Sequence, residues 1–206
     1  MYLPKQFNHP EHARSIILEN PFASLVSNDD EGFPFISHIP IKLMPNATDP
    51  QQDMLLGHVA KGNPHAGFLY KRPQVLLTFM GPQAYMSPAV YPDLIRVPTW
   101  SYVAVHVKAE VRILEGEEAK DALLKQLIAD HEPAYAQQWR GLPETYTHPM
   151  MNAIVAFEMK MLEVQTKVKL NQHRPESHVA MHAAYDAGGE AEKALALWMR
   201  RLGLAS

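Results

Sequence analysis

Apolar residues alternate at a period of two through most of the chain, and a helical period replaces it in a few stretches and at the end. NHPEHARSIILENP, from Asn8, predicts a helix. Asn8 or His9 can cap it, Pro10 or Glu11 suits its first turn, and Pro21 stops it. FASLVSN (22–28) and FISHIPIKL (35–43) then predict two strands joined by the turn DDEGFP. MPNATDPQQD (44–53) is turn chemistry, and MLLGHVA (54–60) predicts a third strand. Asn63-Pro64 starts a short helix through Tyr70. QVLLTFM (74–80) predicts a fourth strand and AYMSP (84–88) a fifth.

VPTWSYVAVHV (97–107) heads the longest predicted strand. Ser101, Val103, Val105, Val107, Ala109, Val111 and Ile113 share one face, and Tyr102, His106, Lys108, Glu110 and Arg112 the other. EGEEAKDALLKQLIADHEP reads as an amphipathic helix with acids in its first turn. AIVAFEMKMLEVQTKVKL (153–170) is a second long strand region. From Pro175 the chain is helical, with Gly188-Gly189 between two helices and Gly203 as a stop. Strands in series with few helices between them argue against parallel βαβ units. The expected fold is therefore mainly β with flanking helices (α+β), an antiparallel barrel with helices packed outside. The expected division is 1–174 for the barrel and 175–206 for a helical extension packed on it.

Bulk chemistry narrows the function classes. The chain has 206 residues, 47% hydrophobic, with 19 Lys+Arg against 22 Asp+Glu. A net charge of -3 is not the footprint of a dedicated nucleic-acid binder. Cysteine is absent, so disulfides and thiolate chemistry are excluded. MYLPKQFNHPEH has no apolar stretch of signal-peptide type, and no run approaches a membrane span, so a cytoplasmic protein is expected. GHVAKGN spaces Gly57 and Gly62 like a phosphate loop, but Asn63 stands where that loop needs Lys. His178 and His182 are four apart on a predicted helix, yet HVAMH lacks the zincin Glu and a third ligand, so no metal site is expected.

Four segments combine glycine or proline with polar side chains in apolar surroundings: SHIPIK (37–42), GHVAKGNP (57–64), VPTWSY (97–102) and KVKLNQHR (167–174). Brought together at a barrel mouth, Lys61, Lys167, Lys169, His38 and His58 would attract an anion, and Trp100 would suit a flat ring. An anion joined to a flat ring describes flavin mononucleotide (FMN). Each residue also has a purely structural reading. Trp100 fits a core, Lys167 and Lys169 a solvated strand face, His38, His58 and His106 half-buried sheet positions, and Asn63 an ordinary helix cap.

MYLPKQF, SHIP, GHVAKGNPH, FMGPQAYMSPAVYP, VPTWSYVAVHV and KVKLNQHRP, in this order, resemble the PaiB-like proteins, described as FMN-binding negative transcriptional regulators. The resemblance runs from Met1 to about Pro175. It implies an FMN-binding split β-barrel of the kind shared with pyridoxamine-phosphate oxidase, and a homodimer with flavin at the subunit interface. It places Ser37 and His38 near the ring or ribityl chain. Lys61, His58 and Asn63 fall at the phosphate, Trp100, Tyr102 and His106 close to the cofactor, and Lys169 and Gln172 stand as closing donors. The chain departs from the family pattern at Ser101 (Asn expected), Val168 (Trp), Thr166 (Gly), Val90 (Trp) and in NQH (171–173, for SQN). Loss of ring and amide groups there predicts weak or lost FMN.

Three functions follow. The first is a flavin-dependent reductase or oxidase, with Lys169 stabilising reduced flavin and neither a catalytic acid nor a substrate identified. The second is a transcriptional regulator without turnover, with a regulator that has lost flavin as its alternative. Its DNA binding is poorly supported by charge, and the helices around AGG are the nearest candidate. The third is a haem-binding or haem-degrading split barrel, with His178 or His182 as the residues to test.

Overall fold

A computed structural model describes every residue except Leu94, with Gln51 described by its backbone alone. Seven strands are β1 Phe22–Asn28, β2 Pro34–Pro40, β3 Lys42–Met44, β4 Met54–Ala60, β5 Gln74–Met86, β6 Thr99–Leu114 and β7 Ile154–Lys169. The helices are α1 Ala13–Glu19, α2 Pro64–Lys71, α3 Glu117–His131, α4 Tyr135–Gly141, α5 Glu144–Asn152, α6 His178–Asp186 and α7 Glu190–Arg201. The strands form one sheet in the order β2-β1-β5-β6-β7-β4-β3. Its pairings β1–β2, β1–β5, β3–β4 and β4–β7 are antiparallel. The sheet is not fully closed, which is the split-barrel arrangement that the strand series predicts. Among the described residues no helix is long and apolar enough to cross a membrane.

The chain forms two compact units. One comprises Met1–Glu19, Met80–His106 and Gln165–Ser206, and the other Asn20–Phe79 and Val107–Val164. We call them unit 1 and unit 2.

In unit 2, FISHIPIKL is two strands rather than the single one its alternation predicts. Pro40 has no N–H to give to a ladder, and the Ile41 N–H donates to the Pro21 carbonyl at 2.8 Å instead of to a strand neighbour. β2 thus pairs with β1 at one end of the strand order and β3 with β4 at the other, one residue apart in sequence. That connection bends the sheet round on itself. Gly57 permits close approach of its neighbours: a Cβ there would sit 2.8 Å from Ile41 Cδ1 and 3.1 Å from Phe157 Cε2. On the outside, Leu123 and Leu127 of α3 cover Leu56 of β4 and Ala156 of β7, with Met44, Leu114 and Leu124 around them. α4 and α5 arise where no element was predicted. They bury only Met151.

In unit 1, β5 continues through Gly81 and Pro82, which read as breakers between two strands in the sequence. Gly81 serves close approach instead of a turn: a Cβ there would lie 3.2 Å from Val103 Cβ. The buried face holds Ala84 and Met86 of β5, Ser101, Val103 and Val105 of β6, and Thr166 and Val168 of β7. Ile16 and Ile17 of α1, Met181 and Tyr185 of α6, and Leu195, Trp198 and Met199 of α7 complete that core. Gly203 ends α7 with φ 66°, as its C-terminal position predicts.

Candidate functional site

The ten residues singled out in the sequence divide evenly between the units. Ser37, His38, His58, Lys61 and Asn63 belong to unit 2, and Trp100, Tyr102, His106, Lys169 and Gln172 to unit 1.

In unit 2 the organising residue is Asn63. Its Oδ1 accepts the His65 N–H at 3.0 Å, capping α2, while its Nδ2 donates to Ser37 Oγ at 3.0 Å. Asn63 therefore caps α2 and holds the Ser37 hydroxyl with the same side chain. Ser37 Oγ is also 2.9 Å from Nδ1 of His65, whose Nε2 is 2.9 Å from Ser27 Oγ. His65 is fully buried, and that burial holds its imidazole below the ordinary pKa. His38 sits on the exposed side of β2, its Nδ1 3.0 Å from Ser24 Oγ. His58, on β4, is half-buried, and its pKa is lowered by burial. Its Nδ1 is buried and lacks a hydrogen-bond partner among the described residues. Lys61 is exposed just past β4, its backbone N–H donating to the Ala153 carbonyl at 2.7 Å.

In unit 1 β6 and β7 are neighbours in the sheet, and lysine side chains of β7 reach residues of β6. Lys169 Nζ donates to Thr99 Oγ1 at 2.6 Å and to the Trp100 carbonyl at 2.9 Å. Lys167 Nζ donates to the Tyr2 carbonyl at 2.9 Å and lies 5.6 Å from the centre of the Tyr2 ring and 5.2 Å from that of Tyr102. Lys167 is 7% exposed, and neither lysine has an ion-paired carboxylate among the described residues. Burial, and then Lys167, pulls the Lys169 pKa down. Burial, and then the chain's amino terminus and Lys167, lowers that of His106. Trp100 is 49% exposed, its Nε1 donating to Gln83 Oε1 at 3.1 Å, with the Tyr85 ring edge-on at 6.3 Å. Gln172 closes the following loop on itself. Its Oε1 accepts the Leu170 N–H, and its Nε2 donates to the Val168 carbonyl and to His9 Nε2.

Sequence reasoning passed over His65, Ser27, Gln83 and Tyr85, and counted Lys167 only among the cations of the mouth. His65 stands two residues past an Asn-Pro helix start, a position that turns a side chain back toward the preceding strands. Lys167 shares the face of Lys169 by simple alternation.

The departures from the family pattern fall in the core of unit 1. Ser101, Thr166, Val168 and Val90 are all buried. Ser101 lies beside Tyr185 of α6, whose pKa is pushed up to about 12 by burial, an effect the nearby Ser101 hydroxyl partly offsets. The two hydroxyls are not in hydrogen-bonding geometry. Asn171 takes a left-handed backbone, φ 57°, which Asn tolerates better than most residues. Its Nδ2 donates to Tyr91 Oη at 2.8 Å, and its carbonyl accepts from His178 Nε2 at 2.9 Å. That bond engages the nitrogen with which His178 would reach a haem iron.

His9, Glu11 and His12 bring three metal-ligating atoms within 4.8 Å of one another. Because Gln172 Oε1 is committed to Leu170 N–H, its Nε2 faces His9 Nε2 as a donor. His9 Nδ1 lies 3.0 Å from Glu11 Oε1, so both of its ring nitrogens have polar neighbours. Elsewhere in unit 2 a cavity of about 470 Å³ lies among α3, α4 and α5, lined by Glu117, Asp121, Trp139, Arg140 and His148. It includes none of the ten predicted residues.

The family model described as "Putative FMN-binding domain" matches residues 1–163. The chain is 32% identical to the Protease synthase and sporulation protein PAI 2 of Bacillus subtilis (strain 168) over 184 residues, 86% of this chain and 84% of that protein. Its fold is similar to the flavocytochrome Anf3 of Azotobacter vinelandii, with TM-score 0.59 and 14% identity over 80% of this chain and 69% of that one. It is also similar to an FAD and haem binding protein from Mycobacterium smegmatis, with TM-score 0.58 and 15% identity over 79% of this chain and 72% of that one.

Proposed function

We propose, because this chain belongs to the "Putative FMN-binding domain" family, that it is an FMN-binding protein of the split-barrel class. The observation that carries the reading is the pair Lys167 and Lys169. Lys167 is buried and Lys169 half-buried, neither has a carboxylate partner among the described residues, and Lys169 bonds the backbone carbonyl of the half-exposed Trp100. A buried cation such as Lys167 is best compensated by an anionic ligand, and the exposed indole of Trp100 suits a flat heterocycle. On this reading Trp100, Tyr102, His106 and Lys169 serve the ring, with Gln172 fixing the loop that carries Lys169. Taken by itself, unit 2 offers in Ser37, His38, His58, Lys61 and Asn63 hydroxyl, imidazole, amide and ammonium groups of the kind that bind phosphate. Flavin supplies two-electron redox chemistry when bound, and a cation near its pyrimidine end favours the reduced form.

The proposal extends to a cytoplasmic homodimer whose residues 175–206 act as a packing extension. Support for a DNA-reading extension is weak. Leu195, Ala196, Trp198 and Met199 of α7 are buried, Arg201 is paired with Glu19 at 2.8 Å, and Arg200 with Asp186 at 3.4 Å. The test is the visible spectrum of purified protein after FMN is added and the excess removed. Retained flavin bands are the expected result. A Soret band from co-purifying haem, or folded protein that retains nothing, overturns the proposal.

A further inference from the structure

The buried polar chain of unit 2 specifies what touches Ser37. Asn63 fixes the direction of the chain. Its Oδ1 is committed to the His65 N–H, so the group facing Ser37 Oγ is its NH₂, a donor. His65 is neutral, with one ring nitrogen protonated, and it has two neighbours: Ser37 Oγ at Nδ1 and Ser27 Oγ at Nε2, each at 2.9 Å. Two arrangements are available. With the proton on Nδ1, His65 and Asn63 both donate to Ser37, Ser27 donates to Nε2, and the Ser37 proton is left over. With the proton on Nε2, Ser37 donates to Nδ1, His65 donates to Ser27, and the Ser27 proton is left over. Ser27 is 5% exposed and has no partner besides His65 among the described residues. A buried hydroxyl proton without an acceptor is costly.

Only a ligand that accepts a hydrogen bond from Ser37 uses every donor of the chain. A ligand that donates to Ser37 selects the second arrangement and strands the Ser27 proton. We infer that Ser37 is a ligand-binding donor for an oxygen acceptor, the phosphate or a carbonyl of the flavin, and that His65 and Ser27 are positioning residues holding its hydroxyl in that polarity. In the completed chain each donor points the same way, from Ser27 through His65 and Ser37 to the ligand, and such chains strengthen one another. This inference rests on the flavin reading and adds the polarity of one contact and the residues that set it.

The test is the tautomer of His65, read from imidazole nitrogen chemical shifts in full-length protein labelled with ¹⁵N-histidine, with and without FMN. A proton on Nδ1 in the FMN-loaded protein is expected. A proton on Nε2 in protein that has bound FMN overturns this inference and leaves the flavin reading standing. Folded protein that binds no FMN overturns both. As a second measurement, Ser27→Ala withdraws the donor from Nε2 and is expected to weaken FMN binding by about tenfold. His65→Asn, which keeps an N–H toward Ser37, is expected to bind more tightly than His65→Leu. Equal FMN affinity across these variants and the parent overturns the positioning role.

Discussion

The Lys167 ammonium sits 5.2 Å from the centre of the Tyr102 ring, buried, with a backbone carbonyl as its hydrogen-bond acceptor. Ring faces and a carbonyl compensate a desolvated cation only in part. Without ligand, Lys167→Met is expected to be as stable as the parent within about 1 kcal/mol, or more stable, because a buried charge gives way to an apolar chain of similar length. With saturating FMN the order should reverse. Thermal unfolding with and without FMN checks this, and an FMN-induced shift as large in Lys167→Met as in the parent refutes it.

Acid should destabilise the fold through His65. Burial lowers its folded pKa below the ordinary 6.5. Between those two values the unfolded chain binds the proton and the folded chain does not, so stability falls as pH drops below about 6.5 and levels off beneath the folded pKa. His58 and His106 are lowered by burial in the same direction. His65→Asn is therefore expected to flatten part of the slope in urea unfolding measured across this window. An unchanged slope removes His65 as a contributor.

Ser101 departs from the family pattern without facing a ligand, since it is buried beside Tyr185. Restoring the family's residue with Ser101→Asn should cost about 1–3 kcal/mol by overpacking and should not tighten FMN binding. Tyr185→Phe, which removes a buried hydroxyl lacking a partner, should be neutral or stabilising. Denaturant melts and FMN titration of both variants decide the matter. A gain in FMN affinity in Ser101→Asn returns this position to the site.

Gly57→Ala should destabilise by about 1–3 kcal/mol, because the new methyl meets Ile41 Cδ1 at 2.8 Å and the Phe157 ring at 3.1 Å. Ile41→Val removes the first of these atoms. The double variant should therefore lose less than the sum of the two single losses, a coupling that a double-mutant cycle measures directly. Simple additivity argues that the barrel relaxes elsewhere.

Local chemistry determined a great deal of this protein from its sequence alone. The two-residue period of VAVHVKAEV, the Asn63-Pro64 cap and the Gly203 stop each act over a few residues, through sterics and hydrogen bonds present in any context, and each appears in the fold as its sequence predicts. Choice of partner belongs to the tertiary structure. Alternation runs unbroken through Ser37, Ile39, Ile41 and Leu43. Only long-range strand pairing decides that Ile41 N–H goes to Pro21 and that its two neighbouring strands join opposite ends of the sheet. Gly81 looks like a turn until Val103 is seen to need its space. Ser101 looks like a lost ligand contact until Tyr185 occupies that side of the strand. His65 is one histidine of eleven in the sequence. It becomes the centre of a polar chain because β1 and β2, in antiparallel register, set Ser27 and Ser37 on either side of its ring, a juxtaposition that only long-range strand pairing creates.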